Sequence, residues 1–125
     1  MELVRDPTRF DVLVTSNLLG DILSDLAAQV VGGIGLAPSA NVHPGRTSLF
    51  EPVHGSAPDI AGQGVANPLA AILTAAMLLR HLGMRDEALR IVDAVNQVIE
   101  AGETTRDLGG QLNTAAAGDA VCVRL

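Results

Sequence analysis

The sequence predicts an α/β protein, because short apolar segments of strand length alternate with longer segments of helical periodicity. Phe10 to Thr15 is a β-branched and apolar run that is too compact for a helix, and it predicts a buried strand. Ser48 to Val53 predicts a second short strand. Between them, residues 17–31 repeat an aliphatic side chain every four positions, which predicts an amphipathic helix capped by Ser16 or Asn17.

Composition limits the class of protein. Of the 125 residues, 48% are apolar and 18% are charged, as in a globular domain. The formal charge of −6 argues against nucleic acid or an anionic membrane surface as a partner. A single cysteine, Cys122, suits a reducing cytoplasm and is expected to pack on the last helix. The first residues are charged, so we expect no signal peptide.

Three more helices are expected in the second half of the chain. The longest apolar run, Leu69 to Leu79, is too short to span a bilayer and predicts a buried helix over residues 68–82. Residues 86–101 predict an amphipathic helix closed by Gly102. The side chains expected to point inward from that helix are Ala88, Leu89, Val92, Val95 and Ile99. Thr114 is expected to cap a final helix that ends near Val123.

Connections are marked by proline, glycine and asparagine. Residues 1–9 predict the end of a helix that Pro7 stops, and residues 37–47 predict a loop with a brief extended piece at its start. His43 and His81 have no motif around them and are interpreted as surface or helix-end histidines. No repeat, low-complexity tract or linker is recognisable.

The segment from Leu49 to Pro68 carries the strongest local signals. Residues 56–59 spell Ser-x-x-Asp, which resembles a capping box, and Pro58 is acceptable in a first helical turn. Asn67 precedes Pro68 as a second N-cap followed by proline at the first helical position. Two helix N-termini and several glycines therefore follow one strand, and such a loop presents free backbone N–H groups to an anion.

Gly55 strengthens that interpretation, because a residue without a Cβ lets a ligand approach the backbone. The loop is thus a candidate nucleotide or phosphate loop, although its spacing is neither the G-x-G-x-x-G fingerprint nor a Walker loop. A purely structural interpretation stays open. Ser56 and Asp59 would then cap one helix, Asn67 would cap the next, and Glu51 would pair with an arginine.

Residues 50–62 read Phe-Glu-Pro-Val-His-Gly-Ser-Ala-Pro-Asp-Ile-Ala-Gly and closely resemble the adenosine-binding loop of the isopropylmalate/isocitrate/tartrate dehydrogenase family. Residues 17–25 and the later Thr-Arg-Asp-Leu-Gly-Gly run resemble two further motifs of that family. Its members are β-decarboxylating dehydrogenases that use a metal and NAD(P). The resemblance implies a three-layer α/β fold of the isopropylmalate-dehydrogenase type, present here in part as a C-terminal portion. Residues 1–31 would belong to the interface-forming domain and residues 32–125 to the cofactor-side domain.

Asp21 and Asp25 lie four residues apart on the first long predicted helix and so share a face. Like charges at that spacing destabilise a helix by roughly 0.2–0.5 kcal/mol unless something neutralises them. Mg²⁺ and Mn²⁺ prefer carboxylate, water and substrate oxygens, which such a pair can supply. The alternative is that Asp21, in the first turn, only complements the helix dipole. The resemblance implies the metal site, with a third aspartate that lies outside this chain on a partner subunit.

The same resemblance assigns roles in the cofactor site. It implies that His54 stacks on or hydrogen-bonds the adenine, that Gly55, Ser56 and Ala57 meet the adenosine and phosphates, and that Asn67 reaches the adenine. Further roles are implied for Glu51 near the nicotinamide ribose, for Asp59 beside the adenosine ribose in favour of NAD, and for Asn17 near the nicotinamide and substrate. For Asn17, a plain N-cap is the alternative.

The implied activity is the NAD-dependent oxidation and decarboxylation of a 2-hydroxy dicarboxylate by a cytoplasmic homodimer. 3-Isopropylmalate is the first expected substrate, as in leucine biosynthesis. Tartrate or D-malate is the second, because residues 41–46 also resemble that branch, and isocitrate is a further alternative. The sequence has no Tyr, Trp or Lys, so the family's catalytic tyrosine and lysine are missing, and its substrate arginines are expected upstream. Met1 is therefore interpreted as an internal methionine, and an inactive truncated fragment remains the alternative of another class.

Overall fold

The computed structural model describes residues 2–125, so the expectation for Met1 lies outside the described residues. Five helices and two strands follow one another, with short 3₁₀ turns between them. The helices are α1 (Glu2–Arg5), α2 (Asn17–Val30), α3 (Leu69–His81), α4 (Arg85–Glu100) and α5 (Thr114–Cys122). The strands are β1 (Pro38–Asn41) and β2 (Leu49–Pro52), and the 3₁₀ turns are Pro7–Arg9, Pro58–Ile60 and Arg106–Leu108. The predicted helices are thus present, and the first ends before Pro7 as expected.

The two strands form an antiparallel hairpin in which Ser39 pairs with Glu51 and Ala40 with Phe50. The brief extended piece predicted at the start of residues 37–47 is present as residues 38–41, and it pairs with β2 as a strand. Their composition gave little sign of this, because proline and asparagine are uncommon inside strands. Helix α3 packs on both strands and on α4, and α4 packs on α5. The hairpin therefore leads directly into the helical layer that holds the core.

The strand predicted over residues 10–15 is wrong. These residues form no strand and are exposed, and Val14 is 96% exposed. A strand requires a hydrogen-bonding neighbour, and within residues 2–125 the only ladder joins β1 to β2. Composition identified a segment suited to a sheet, but no partner strand for it lies in the described part of the chain.

The core lies between α3, α4 and α5. Leu69, Val95, Val98 and Val121 are almost completely buried there, together with Ala94. Two inward assignments for α4 are corrected, because Leu89 is 59% exposed and Ile99 is also exposed, whereas Ala94 and Val98 are buried. The buried face of α4 is therefore narrower than the predicted one and is built on small residues.

Much apolar surface remains open to solvent. The exposed area of 8639 Å² exceeds the roughly 6,300 Å² expected for a folded monomer of 12.9 kDa. Helix α2 contributes strongly, because the predicted apolar face carrying Leu18, Ile22, Leu26 and Val30 is exposed, and only Ala28 is buried. Cys122 is exposed as well, which corrects the expectation that it packs. No helix among residues 2–125 is long and apolar enough to cross a membrane.

Candidate functional site

The loop from Val53 to Asn67 follows β2 and is shaped by unusual backbone conformations. Ala57 adopts φ 44° and ψ 62°, and it is the only non-glycine residue with positive φ in the described part of the chain. The left-handed region costs a residue with a Cβ about 1–2 kcal/mol, and such strain is concentrated at functional sites. Pro58 then opens the short 3₁₀ turn, which ends at Ile60, and Gly62 and Gly64 follow it with φ of 77° and 66°.

The predicted capping box is not formed. Ala57 stands at the N-cap of the turn, and no side chain caps it. Within residues 2–125, the side chains of Ser56 and Asp59 make no hydrogen bond or ion pair, and both residues are exposed. A one-turn 3₁₀ segment begun by proline has too few free N–H groups for a capping box to satisfy. The hydroxyl and the carboxylate are therefore free to meet a ligand.

Gly55 has neither of the usual structural reasons to be glycine. Its φ lies outside the left-handed region, and a Cβ built on it would meet no atom within 4 Å. By contrast, a Cβ on Gly110 would collide with the carbonyl group of Thr104. The space beside Gly55 is open, which fits the predicted close approach of a ligand.

His54 is half buried and lies beside that space. Its Nδ1 is 3.0 Å from the carbonyl oxygen of Gly55, and since a carbonyl only accepts, Nδ1 carries the hydrogen. Nε2 is buried without a partner among the described residues. A ligand thus meets the ring rather than Nε2 unless the ring turns, which favours the stacking alternative over the hydrogen-bonding one.

Asn67 lies at the start of α3 as predicted. Its Oδ1 accepts a hydrogen bond of 2.9 Å from the backbone N–H of Leu69, while the carbonyl oxygen of Pro68 already accepts from Ile72. Pro68 itself stands at the N-cap, so the predicted N-cap lies one residue too early, although the Asn67 side chain still satisfies the first N–H of the helix as a cap would. Asn67 therefore has a structural role at the start of α3 that uses its carboxamide oxygen.

Two residues that support this loop were not predicted. Asp107 accepts a hydrogen bond of 2.8 Å from Nδ2 of Asn67, forty residues earlier in the chain. Thr114 donates from its backbone N–H to Gly64 and from its hydroxyl to Ala66. Thr114 does not cap α5, because Asn113 occupies the N-cap and its side chain accepts from the N–H of Ala116. The Thr-Arg-Asp-Leu-Gly-Gly run that contains Asp107 was the available signal.

The candidate metal ligands lie on α2. Asp21 and Asp25 are exposed and make no ion pair with a side chain of residues 2–125. No third His, Cys, Asp or Glu of the described chain joins them in a cluster able to hold a metal ion. Asn17 is the first residue of α2, Ser16 occupies the N-cap, and neither side chain caps the helix. The N-cap alternative for Asn17 is therefore wrong.

The motif of the candidate metal ligands on α2 and the start of the candidate cofactor loop border the same groove. This groove lies between α2 and the hairpin and has a volume of about 680 Å³. Gly20 and Ser24 line it from α2, next in sequence to Asp21 and Asp25. Val53, which precedes His54, lines the opposite side. The predicted ligand residues do not themselves line the groove. Glu51, on β2, is exposed and has no arginine partner among the described residues, so the predicted ion pair is absent.

The fold and these motifs define a partial α/β protein of one class, and comparison with known proteins identifies that class. Residues 1–121 match the family described as isocitrate/isopropylmalate dehydrogenase. The chain belongs to this family, which confirms the resemblance and the partial isopropylmalate-dehydrogenase-like α/β fold.

Individual relatives agree with this assignment. The isocitrate/homoisocitrate dehydrogenase of Thermus thermophilus is 62% identical over 121 residues, which cover 97% of this chain and 36% of that protein. The 3-isopropylmalate dehydrogenase of Archaeoglobus fulgidus is 62% identical over 114 residues, covering 91% and 35%. The crystal structure of isocitrate dehydrogenase from Methylococcus capsulatus superposes with a TM-score of 0.94 at 53% identity, covering 99% of this chain and 37% of that one. The chain therefore spans little more than a third of the length of these relatives.

Proposed function

We propose that this chain forms part of a NAD- and Mg²⁺- or Mn²⁺-dependent dehydrogenase that oxidises and decarboxylates a 2-hydroxy dicarboxylate. The observation that carries the proposal is a loop whose backbone is braced while its polar side chains stay free. Within residues 2–125 the side chains of Ser56 and Asp59 make no hydrogen bond or ion pair, while the Asp59 carbonyl accepts from the Gln63 side chain, and Gly55 borders open space. A loop that is already ordered in the free protein loses little conformational entropy when a ligand binds. Such a loop therefore suits tight binding.

The residues present fit a dinucleotide. The open backbone at Gly55 suits phosphate oxygens, the half-buried His54 ring offers a face for an adenine, and the Asp59 carboxylate can accept hydrogen bonds from ribose hydroxyls. Asn67 keeps one N–H for an adenine acceptor, since the other is donated to Asp107. Glu51 pairs with Ser39, which lines the groove, and is proposed for the nicotinamide ribose.

Asp21 and Asp25 fit a hard divalent cation, because both are exposed carboxylates on one helix face without a neutralising partner in residues 2–125. When bound, the metal acts as a Lewis acid toward the substrate's hydroxyl and carboxylate oxygens, and NAD supplies the oxidant. The two aspartates would hold the metal, and Asn17 at the same helix end would orient the substrate. A third carboxylate is proposed from a partner subunit, which requires a homodimer.

The substrate named first is 3-isopropylmalate, and the assignment of residues 1–31 and 32–125 to two domains is part of the same proposal. Isocitrate is an alternative, because relatives named for isocitrate/homoisocitrate and for 3-isopropylmalate are equally similar to this chain. Tartrate or D-malate is another, since residues 41–46 resemble that branch and run from the last residue of β1 into the exposed turn before β2. Steady-state kcat/KM values of the full-length enzyme for 3-isopropylmalate, isocitrate, tartrate and D-malate rank the candidate substrates.

Substitution of Asp25 tests the metal assignment. In the full-length enzyme that contains this chain, Asp25→Asn should lower metal-dependent kcat/KM by on the order of 100-fold or more, because a neutral amide is a weak ligand for a hard cation. NAD affinity, measured by calorimetry, should change little. Asp93→Asn, on the exposed face of α4, is the matched control and should change neither quantity. If both Asp21→Asn and Asp25→Asn kept normal metal dependence, the pair would be helix surface only.

The competing proposal is a chain without catalytic activity of its own. It is favoured by the absence of tyrosine and lysine from the sequence. Turnover by the isolated chain with Mn²⁺, NAD and the substrate panel separates the two. Activity of the isolated chain would refute the inactive alternative, whereas activity only in the full-length enzyme would support both the family function and the dependence on further residues.

A further inference from the structure

The Asn67 carboxamide is held in one orientation by two neighbours of opposite kind. The backbone N–H of Leu69 can only donate, so it must face Oδ1, and the bond is 2.9 Å long. The carboxylate of Asp107 can only accept, so it must face Nδ2, at 2.8 Å. A flipped amide would place a donor against a donor and an acceptor against an acceptor. The two bonds therefore fix both the plane of the carboxamide and the position of its second N–H.

Asp107 is itself fixed. Its Oδ1 accepts a hydrogen bond of 2.6 Å from the hydroxyl of Thr105, a residue that is fully buried. Its Oδ2 lies where Gly35 has no side chain, because a Cβ on Gly35 would come within 2.5 Å of Oδ2 and 3.0 Å of Asn67 Nδ2. The carbonyl oxygen of Gly35 also accepts from the N–H of Ala70 in the first turn of α3. Three distant segments thus meet at one carboxylate.

We propose that Asp107 is a positioning residue for ligand binding at the loop, because it orients the Asn67 carboxamide so that its second N–H is available to a hydrogen-bond acceptor of a bound purine. The proposal rests on the proposed dinucleotide function. Asp107 itself does not touch the ligand. Its contribution is to restrict the rotation of the Asn67 side chain before the ligand binds. Without Asp107, this side chain would have to be ordered on binding, and that ordering would lower the affinity.

Three variants of the full-length enzyme separate positioning from simple structural support. Asp107→Ala removes the acceptor. Asp107→Asn keeps it, because its amide oxygen can accept from Asn67 while its NH₂ faces the Thr105 hydroxyl, which can also accept. The exchange Asn67→Asp with Asp107→Asn restores the bond with reversed polarity, since the new carboxylate accepts both from Leu69 and from the new amide. That exchange keeps the brace but removes the N–H offered to the ligand.

The probes are AMP for the adenine end and nicotinamide mononucleotide for the other end, with thermal melting as the measure of folding. We expect Asp107→Ala to weaken AMP binding and raise the KM for NAD by about tenfold with a smaller change in kcat, as for the loss of one well-placed hydrogen bond. Nicotinamide mononucleotide binding should stay constant. Asp107→Asn should bind AMP within about threefold of the wild type. Asp119→Ala, an exposed carboxylate on α5, should change nothing.

The exchange variant decides between the two roles. We expect it to melt like the wild type and yet to bind AMP as weakly as Asp107→Ala. If it recovered AMP affinity together with stability, Asp107 would be a structural brace only and the proposal would be overturned. Unchanged AMP affinity in Asp107→Ala would also overturn it. Failure of the wild-type enzyme to bind AMP or NAD would overturn the proposed function itself, an outcome distinct from both.

Discussion

The hydroxyl of Thr114 donates a hydrogen bond of 2.6 Å to the carbonyl oxygen of Ala66, across 48 residues of sequence. The backbone N–H of the same residue donates to Gly64 at 2.8 Å. The first residue of α5 is thus hydrogen-bonded to the last residues of the candidate cofactor loop. Because two glycines make this part of the loop conformationally free, its shape depends on such tethers.

Replacing Thr114 by valine tests that tether. Valine has nearly the same shape but no hydroxyl, so the Ala66 carbonyl loses its donor, and we expect a loss of about 1 kcal/mol in the free energy of unfolding. Affinity for NAD should fall several-fold, because the loop becomes less ordered. Denaturant unfolding and calorimetry of the full-length enzyme measure the two effects. Thr114→Ser keeps the hydroxyl and is the control; equal behaviour of the two variants would show that the bond is unimportant.

The isolated 125-residue chain is predicted to be aggregated or molten. Its exposed area exceeds the value expected for a folded monomer of this mass by about 2,300 Å². Residues 10–15 and α2 expose large apolar side chains, among them Val14 at 96% and Leu18 at 72%. Apolar patches above a few hundred Å² promote association. Size-exclusion chromatography and thermal melting measure this, and a monodisperse monomer with a sharp cooperative melt would contradict the prediction.

Ala57→Gly tests whether the loop stores backbone strain. Glycine adopts the left-handed conformation without the cost of about 1–2 kcal/mol that alanine incurs. Glycine also makes the unfolded chain more flexible, and the larger loss of conformational entropy on folding costs roughly 0.5–1 kcal/mol. We therefore expect a net gain of roughly 0.5 kcal/mol in stability, with weaker NAD binding because the loop is less rigid.

Ala101→Gly supplies the matched control, since Ala101 lies at the end of α4 with φ −75° and ψ −8°, which suit alanine. There the same substitution should destabilise the protein. Equal destabilisation at both positions would mean that Ala57 is unstrained.

The helices were predictable because their signals are local. Periodicity and flanking glycine or proline placed α2, α3 and α4 within one or two residues of the observed ends. Sheet structure depends on partners, and sequence alone did not supply them. Residues 10–15 have the composition of a strand but no neighbour in the described chain, whereas Pro38–Asn41 has the composition of a turn and pairs with β2.

The candidate site also has a part with local sequence signals and a part that depends on residues distant in sequence. Its contiguous part, from Glu51 to Asn67, could be proposed from the sequence because the motif is continuous there. Asp107 and Thr114 were missed because each forms its hydrogen bond with a residue 40 or more positions away. A local sequence pattern does not indicate which distant residue a carboxylate or hydroxyl will contact. Capping assignments also failed where two candidates were adjacent, since Asn113 and Thr114 both suit an N-cap and only packing decided between them.

Cofactor choice is the property on which the loop is most specific. Asp59 is exposed in the 3₁₀ turn and has no cation or hydrogen-bond donor bound to its carboxylate among residues 2–125. A carboxylate beside the adenosine ribose accepts hydrogen bonds from its hydroxyls and repels a 2′-phosphate. Leaving the 2′-phosphate unpaired against Asp59 is expected to cost a few kcal/mol, and each 1.4 kcal/mol is about tenfold in an equilibrium constant. We therefore expect kcat/KM for NAD to exceed that for NADP by on the order of 100-fold or more.

Replacing Asp59 by lysine should narrow or reverse this ratio, because the repulsion becomes an attraction. Ile60→Tyr should strengthen the change by adding a hydroxyl donor next to the phosphate. Steady-state kinetics of the full-length enzyme with both cofactors measure the ratio directly. Asp93→Lys makes the same change of charge on the exposed face of α4 and should leave the ratio unaltered, which separates a local contact from a change in net charge. Equal efficiency with NAD and NADP in the wild type would show that Asp59 does not face the ribose, since its carboxylate could not then discriminate against the phosphate.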